Sequence, residues 1–246
     1  MLAKAANRAR GAACVSLLIL AGGCRVAHET QPAPADQASV AVTATTQPPA
    51  TTRAAGAVAW PVDPERTVVT VIVRRAGPLA RLGHDHVITS ADERGTVWLG
   101  ASPAESAFEL HLPVERFEVD LPEARAAAGA EFAAAVPDEA RAGTRRNLLR
   151  PEVLDATGFP LIELRSIAAT GAWAQPVIRV AVTLRGATRE FEMPVVVERA
   201  ADVLVAHGEL RFNQSDFAIT PFSVAGGAIQ VADALEVRFR IVAHAP

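Results

Sequence analysis

Three successive alternations of apolar and polar residues, between residues 191 and 241, constrain the fold of this chain most strongly. Their apolar members are Phe191, Met193, Val195 and Val197, then Leu204, Ala206, Gly208, Leu210 and Phe212, then Leu235, Val237, Phe239 and Ile241. A period of two predicts half-buried antiparallel strands, because successive side chains of a strand point to opposite faces. Strands with one apolar face must share a core, so we expect a closed or strongly curved sheet.

Earlier parts of the chain repeat this pattern. Further strands are predicted at residues 67–74, 82–89, 95–99, 106–112, 161–166 and 177–185. Residues 123–149 differ, because they are rich in Ala, Glu and Arg and have no β-branched run. Pro137 and the two acidic residues after it are typical of a helix start. These patterns predict an all-β antiparallel barrel or curved sandwich of about eight strands, with one helical insertion.

The first 24 residues are expected to be a lipoprotein-type signal peptide. Basic residues precede an apolar run, residues 11–20, that is too short to span a bilayer as a permanent helix. The small residues directly before Cys24 resemble the lipobox of bacterial lipoproteins, in which the cysteine is lipidated. Arg25, in place of Asp, favours the outer membrane in this resemblance. The predicted location is therefore the periplasm, with a lipid anchor at Cys24; simple secretion is the alternative.

Residues 25–57 are predicted to be a disordered tether between this anchor and the folded domain. The segment is rich in Pro, Ala, Thr and Gln and has no sustained periodicity. Such a composition buries too little apolar surface to offset the entropy of ordering the chain. The folded domain is accordingly expected to comprise residues 58–246.

The composition of this domain argues against several classes of function. Both cysteines, Cys14 and Cys24, precede it, so it has no disulfide, zinc-thiolate site or cysteine nucleophile. The sequence contains neither a Gly-x-Ser-x-Gly elbow nor a Gly-rich phosphate loop between a strand and a helix. A net charge of -3 without a basic block does not favour nucleic acid. These observations favour a protein without catalysis or cofactor.

Four segments, in this order, resemble the YceI-like family of bacterial periplasmic proteins. They are GHDHVI at residues 83–88, RNLL, VLDA and FPLI within residues 146–162, VTLRGATR at residues 182–189, and DFAI with VAD at residues 216–219 and 231–233. The first is similar to the subgroup that has a Gly-His-(Asn/Asp)-His segment. The resemblance covers about residues 62–244 and implies a lipocalin-like β-barrel that binds long isoprenoids or other amphiphilic lipids.

The apolar faces of the strands are the predicted ligand-binding surface. A barrel of about eight strands encloses room for packed side chains or for one slender ligand, and an alkyl chain would gain about 0.8 kcal/mol per buried methylene. Gly208 is expected to leave room in the wall. The predicted lining is Val180, Val182, Leu184, Phe191, Met193, Val195, Leu204, Gly208, Leu210, Phe212, Val237 and Phe239. The alternative is a filled barrel that acts as an envelope scaffold or interaction module.

Two pairs of residues are candidates for the polar end of the ligand or the mouth of the barrel. His84 and His86 would point to one face of a strand, where they would contact loops or a head group. The same geometry allows a shared divalent ion as an alternative, with His111 or His207 as a third ligand. Arg145 and Arg146 could receive an anionic head group, or simply complement the dipole of a helix end.

Overall fold

The computed structural model describes residues 44–45 and 53–246. The predicted signal peptide, the lipidation site Cys24 and most of the predicted tether lie outside these residues. Within the tether range, Ala44 and Thr45 form a two-residue strand that pairs with Arg189 and Thr188. Over the described ranges, no helix combines the length and the apolar character needed to cross a membrane.

The described residues contain thirteen strands in one sheet, and every strand pair in it is antiparallel. The strands are β1 (Ala44–Thr45), β2 (Val58–Pro61), β3 (Val68–Ala76), β4 (His86–Thr89), β5 (Arg94–Leu99), β6 (Ala107–Pro113), β7 (Glu118–Val119), β8 (Leu161–Ala172), β9 (Gln175–Leu184), β10 (Ala187–Arg199), β11 (Val203–Asn213), β12 (Ser223–Val224) and β13 (Ile229–His244). Their order is β2-β5-β6-β8-β9-β10-β11-β13-β3-β4-β7, with β1 on β10 and β12 on β13. The predicted all-β antiparallel class is confirmed. The structure has more strands than the predicted number of about eight, mainly because β1, β2, β7 and β12 have only two to four residues each and are too short to show a period.

The sheet curls round so that the segment after its edge strand β2 reaches β13, which lies in the middle of the strand order. The residue after β2, Val62, bridges to Ala243 of β13. The Val62 N–H donates to the carbonyl of Gly95 at 3.0 Å, and the Asp63 N–H donates to that of Val242 at 2.8 Å. The segment therefore joins the β5 side of the sheet to β13, and the inward faces of the strands enclose one common interior.

The inward faces are those that the alternation predicts. Phe191, Met193 and Val195 of β10 are buried in the main core. Val237 and Phe239 of β13 pack against that core but are only partly buried. Partial exposure of residues that point inward means that the interior of the sheet is hollow in places.

The predicted helical insertion lies between β7 and β8 and contains two helices, α1 (Pro122–Ala128) and α2 (Asp138–Leu148). Gly129, with a φ of 138°, ends α1 in a conformation that favours glycine. The predicted start of α2 is confirmed, since Pro137 precedes its first residue and Asp138 and Glu139 occupy its first turn. An Arg141 hydrogen bond to the Val119 carbonyl ties α2 to β7, so this helix lies against the barrel wall.

Candidate functional site

An apolar cavity of about 200 Å³ occupies the interior of the curled sheet. In the described part of the chain, Glu109 is the only charged residue that lines it. Strands on opposite sides of the interior contribute to its wall: Val69 and Val71 from β3, Leu164 from β8 and Leu204 from β11. Such a space suits a hydrocarbon chain, since an almost wholly apolar wall offers very few polar groups with which to hold water.

Nine of the twelve residues predicted to line a ligand site do line this cavity. They are Val182, Leu184, Met193, Val195, Leu204, Leu210, Phe212, Val237 and Phe239. Val180 and Phe191 do not, although both are fully buried and face each other across β9 and β10. The Phe191 ring packs against Phe212 and Phe217, with centroids 5.7 and 6.1 Å apart. This part of the interior is therefore filled by side chains.

Gly208 is the third predicted lining residue that does not border the cavity, and the expectation that it leaves room is wrong. A Cβ atom at this position would lie 2.8 Å from Cζ of Phe239 and 3.1 Å from the backbone oxygen of Pro194. Phe239 is the cross-strand partner of Gly208, and its ring covers the glycine. The absence of a side chain at Gly208 thus makes space for a protein ring, which in turn forms part of the cavity wall.

A second cavity, of about 300 Å³, adjoins the first and shares with it Val71, Phe117, Ile162, Leu184 and Phe212. Away from the shared wall its lining is mostly apolar too, but it also includes eight polar residues. Its polar lining residues are Arg74, Arg75, His84, His86, Thr144, Asn147, Gln214 and Gln230. No carboxylate lines this cavity within residues 53–246. The interior is therefore largely apolar, and the polar residues on the wall of the second cavity form what we call its polar end.

His86 is the most strongly fixed polar side chain at this end. Nδ1 of its ring lies 2.6 Å from Oδ2 of Asp120, and Nε2 lies 3.4 Å from the hydroxyl of Thr144 on α2. Its side chain is 14% exposed, whereas that of Asp120 is fully buried. The Asp120 contact therefore sets the direction of the imidazole, with Nε2 on the side of the cavity and of Thr144.

Asp120 is held as a carboxylate by three donors. Besides His86, they are the Val87 N–H at 2.9 Å and Nη1 of Arg125 at 2.6 Å. Burial raises the pKa of Asp120, but the hydrogen bonds from His86, Val87 and Arg125 outweigh it and leave the pKa below its usual value. Arg125, itself buried, also donates to the backbone carbonyls of Phe132, Asp85 and Ala134. The network therefore ties β4 to α1 and to the residues that follow it.

The two histidines do not share one face of a strand, because the strand predicted to start at residue 82 starts at His86. Residues 80–82 form a single 3₁₀ turn, and His84 is an exposed residue of the loop after it. The two ring centroids are 6.3 Å apart. Among the residues that the structure describes, no group of three or more His, Cys, Asp or Glu side chains is arranged to hold a metal ion.

Arg145 and Arg146 line neither cavity, so the structure does not bring them to the polar end of the interior. The Arg145 guanidinium donates to the backbone carbonyls of Phe117, at 3.2 Å, and Glu115, at 2.6 Å. Both arginines are in the last turn of α2. Arg145 therefore fastens the end of this helix to the barrel and complements the helix dipole.

The sequence interpretation did not single out four residues that shape the polar end: Asp120, Arg125, Thr144 and Asn147. For Thr144 and Asn147 a signal was available, because Ala140, Thr144 and Asn147 recur at the spacing of one helix face, and all three line the second cavity. For Asp120 there was none. Its partner His86 is 34 residues away in the chain, and no periodic pattern links them.

Comparisons with known proteins agree with this fold. The solved structure of BcnA from Burkholderia cenocepacia superposes with a TM-score of 0.55 at 15% identity, covering 74% of this chain and 98% of its own. A polyisoprenoid binding domain from Saccharophagus degradans superposes with a TM-score of 0.50 at 9% identity, covering 77% of this chain and 99% of its own. At such identities the likeness concerns the fold alone.

A search of curated proteins found no match. The sequence of residues 60–243, however, matches the YceI-like domain. This range includes all of the strands that enclose the two cavities except the first two residues of β2 and the last residue of β13, and also the network around Asp120. The chain therefore belongs to the YceI-like domain family.

Proposed function

We propose that this protein binds the apolar chain of an amphiphilic lipid, such as a polyisoprenoid, in its two adjacent cavities. The observation that carries the proposal is the division of this space into an apolar part, with Glu109 as its one charged lining residue among those described, and a part with a polar end. The hydrocarbon chain would occupy the first part and the head group the second. This is a binding or carrier function without catalysis.

Energetics and family membership support the proposal. Each methylene transferred from water to an apolar wall contributes about 0.8 kcal/mol, so a chain of several isoprene units could bind tightly with few polar contacts. Membership of the YceI-like family and the fold shared with the polyisoprenoid binding domain from Saccharophagus degradans are consistent with an isoprenoid ligand.

Extraction of the purified protein with organic solvent, followed by mass spectrometry, tests this function directly. We expect a co-purified amphiphile, or, from delipidated protein, uptake of an apolar fluorescent probe that geranylgeraniol displaces. A clean extract combined with no probe uptake by the folded protein would contradict lipid binding. It would favour the alternative of an envelope scaffold whose interior stays empty of ligand.

We further propose that the protein works in the periplasm, on a lipid anchor attached at Cys24. The apolar run at residues 11–20 and the small residues before this cysteine support the proposal. In a Gram-negative host, the parent is expected to fractionate with membranes and the Cys24→Ser variant with soluble periplasmic proteins. Equal membrane association of the two proteins would rule out the anchor.

A further inference from the structure

We infer that the head group of the bound lipid carries a hydroxyl, which donates a hydrogen bond to Nε2 of His86. This inference rests on the proposed function and specifies its ligand class: an isoprenoid alcohol or a related long-chain amphiphile with a free O–H group. It assigns a specific role to one of the polar residues that surround the second cavity.

The position of the ring proton follows from the partners of Asp120. Its carboxylate accepts the Val87 N–H and Nη1 of Arg125 on Oδ1, and lies 2.6 Å from the His86 ring through Oδ2. A carboxylate can only accept, so Nδ1 of His86 must donate and carries the proton. In the neutral form of the ring, a proton on Nδ1 leaves Nε2 as the acceptor.

This acceptor has little to bond with inside the protein. The one side-chain partner within reach of Nε2 in the described residues is the hydroxyl of Thr144, at a long 3.4 Å. The ring lines the second cavity, which shares part of its wall with the apolar one. A hydroxyl at the end of a chain that occupies the apolar cavity would reach Nε2 where the ring borders the second cavity.

The charged residues of the same cavity favour a neutral head group over an anionic one. Arg74 is paired with Glu131 at 3.3 Å and with Asp85 at 3.6 Å. Arg75 is paired with Asp85, and its guanidinium also donates to the Gly83 carbonyl. Both arginines are 39% to 43% exposed, so their charges are already compensated and in contact with solvent.

A site with a largely buried acceptor discriminates against a ligand that has no donor. A methyl ether of the same chain fills the same apolar space but leaves Nε2 with only the long contact to the Thr144 hydroxyl. Such an unmatched polar group weakens binding of the analogue more than a missing methylene would. We therefore expect the parent protein to prefer an alcohol to its methyl ether about tenfold.

The test compares geranylgeraniol with geranylgeranyl methyl ether, each displacing a bound apolar fluorescent probe from the delipidated full-length protein. The informative variant is His86→Asn, because the asparagine amide can still donate to Asp120 from near the position of Nδ1 but has nothing at Nε2. We expect this variant to bind both ligands equally, at the affinity that the parent has for the ether. The control is His207→Asn on β11, which lines neither cavity and should keep the tenfold preference.

Three results would overturn the inference: equal binding of the two ligands by the parent, a preference that persists in His86→Asn, or tighter binding of geranylgeranoic acid than of the alcohol. The last would mean that the site takes an anion. If the folded parent binds none of these ligands, the proposed function itself fails. Binding without discrimination, in contrast, leaves the function intact and removes only the hydroxyl preference.

A second measurement does not depend on any variant being folded. A long-range ¹H–¹⁵N spectrum of the histidine rings in the parent should show that the neutral form of the His86 ring carries its proton on Nδ1. Addition of geranylgeraniol should shift the Nε2 resonance, and addition of the ether should not. A proton on Nε2 in the free protein would overturn the inference.

Discussion

Asp120→Ala is expected to lower the free energy of unfolding by about 3–5 kcal/mol, which is the usual cost of removing one partner of a buried charge pair. The Asp120 side chain is fully buried and the Arg125 side chain is only 9% exposed. Without the carboxylate, the Arg125 charge has only backbone carbonyls around it, and the Val87 N–H and the His86 ring also lose their acceptor. The loss therefore combines an uncompensated charge with two unsatisfied donors.

Urea unfolding at neutral pH, followed by circular dichroism, measures this loss. The control is Asp138→Ala, which removes a carboxylate that is 95% exposed and pairs with Arg141 at 3.0 Å. Exposed pairs of this kind contribute about 0–1 kcal/mol. Similar losses in the two variants would show that the Asp120 network does not stabilise the fold in the way its burial indicates.

The same network predicts how stability depends on pH. Because the pKa of Asp120 is lower in the folded protein than in the unfolded chain, the unfolded chain binds more protons in acid. The stabilisation from Asp120 is then fully present above about pH 5 and declines as the pH falls below about 4. The difference in unfolding free energy between the parent and Asp120→Ala should therefore narrow from neutral pH to about pH 3. A constant difference would contradict this origin.

The sequence was sufficient to predict which face of each long strand points inward. Met193, Leu210 and Val237 were assigned to the interior from alternation alone, and all three line the apolar cavity. Alternation works here because a half-buried strand must separate its apolar and polar side chains between two faces. The period of two does not indicate the depth of a residue along the barrel axis. Val180 and Phe191 have the correct face, yet they lie where side chains fill the interior.

Details of the polar end depend on contacts that local sequence does not encode. The position of His86 depends on the distant Asp120, and His84 lies outside the strand because the turn after Pro78 takes up residues 80–82. For Gly208, the sequence predicted room in the wall, and this prediction is wrong. The sequence could not indicate that the space belongs to the ring of Phe239, which is 31 residues away and lies opposite in the register of β11 and β13.

Ala206→Trp is expected to weaken the binding of a long isoprenoid more than a hundredfold. Ala206 lies on β11 between Leu204 and Gly208, and its small side chain lines the apolar cavity of about 200 Å³. An indole ring placed there would exclude roughly four methylenes of the ligand, at about 0.8 kcal/mol each. Binding of geranylgeraniol and of the shorter geraniol, measured by displacement of a fluorescent probe, should show the loss mainly for the longer chain.

The matched control is Val196→Trp on β10, where the side chain is 38% exposed and lines neither cavity. Melting curves of both variants separate a loss of binding from a loss of folding, since an overpacked interior typically costs 1–3 kcal/mol. If a folded Ala206→Trp variant kept the dependence of affinity on chain length that the parent has, the ligand chain would not occupy the apolar cavity. The interior would then be a core with packing voids, and any lipid would bind elsewhere on the protein.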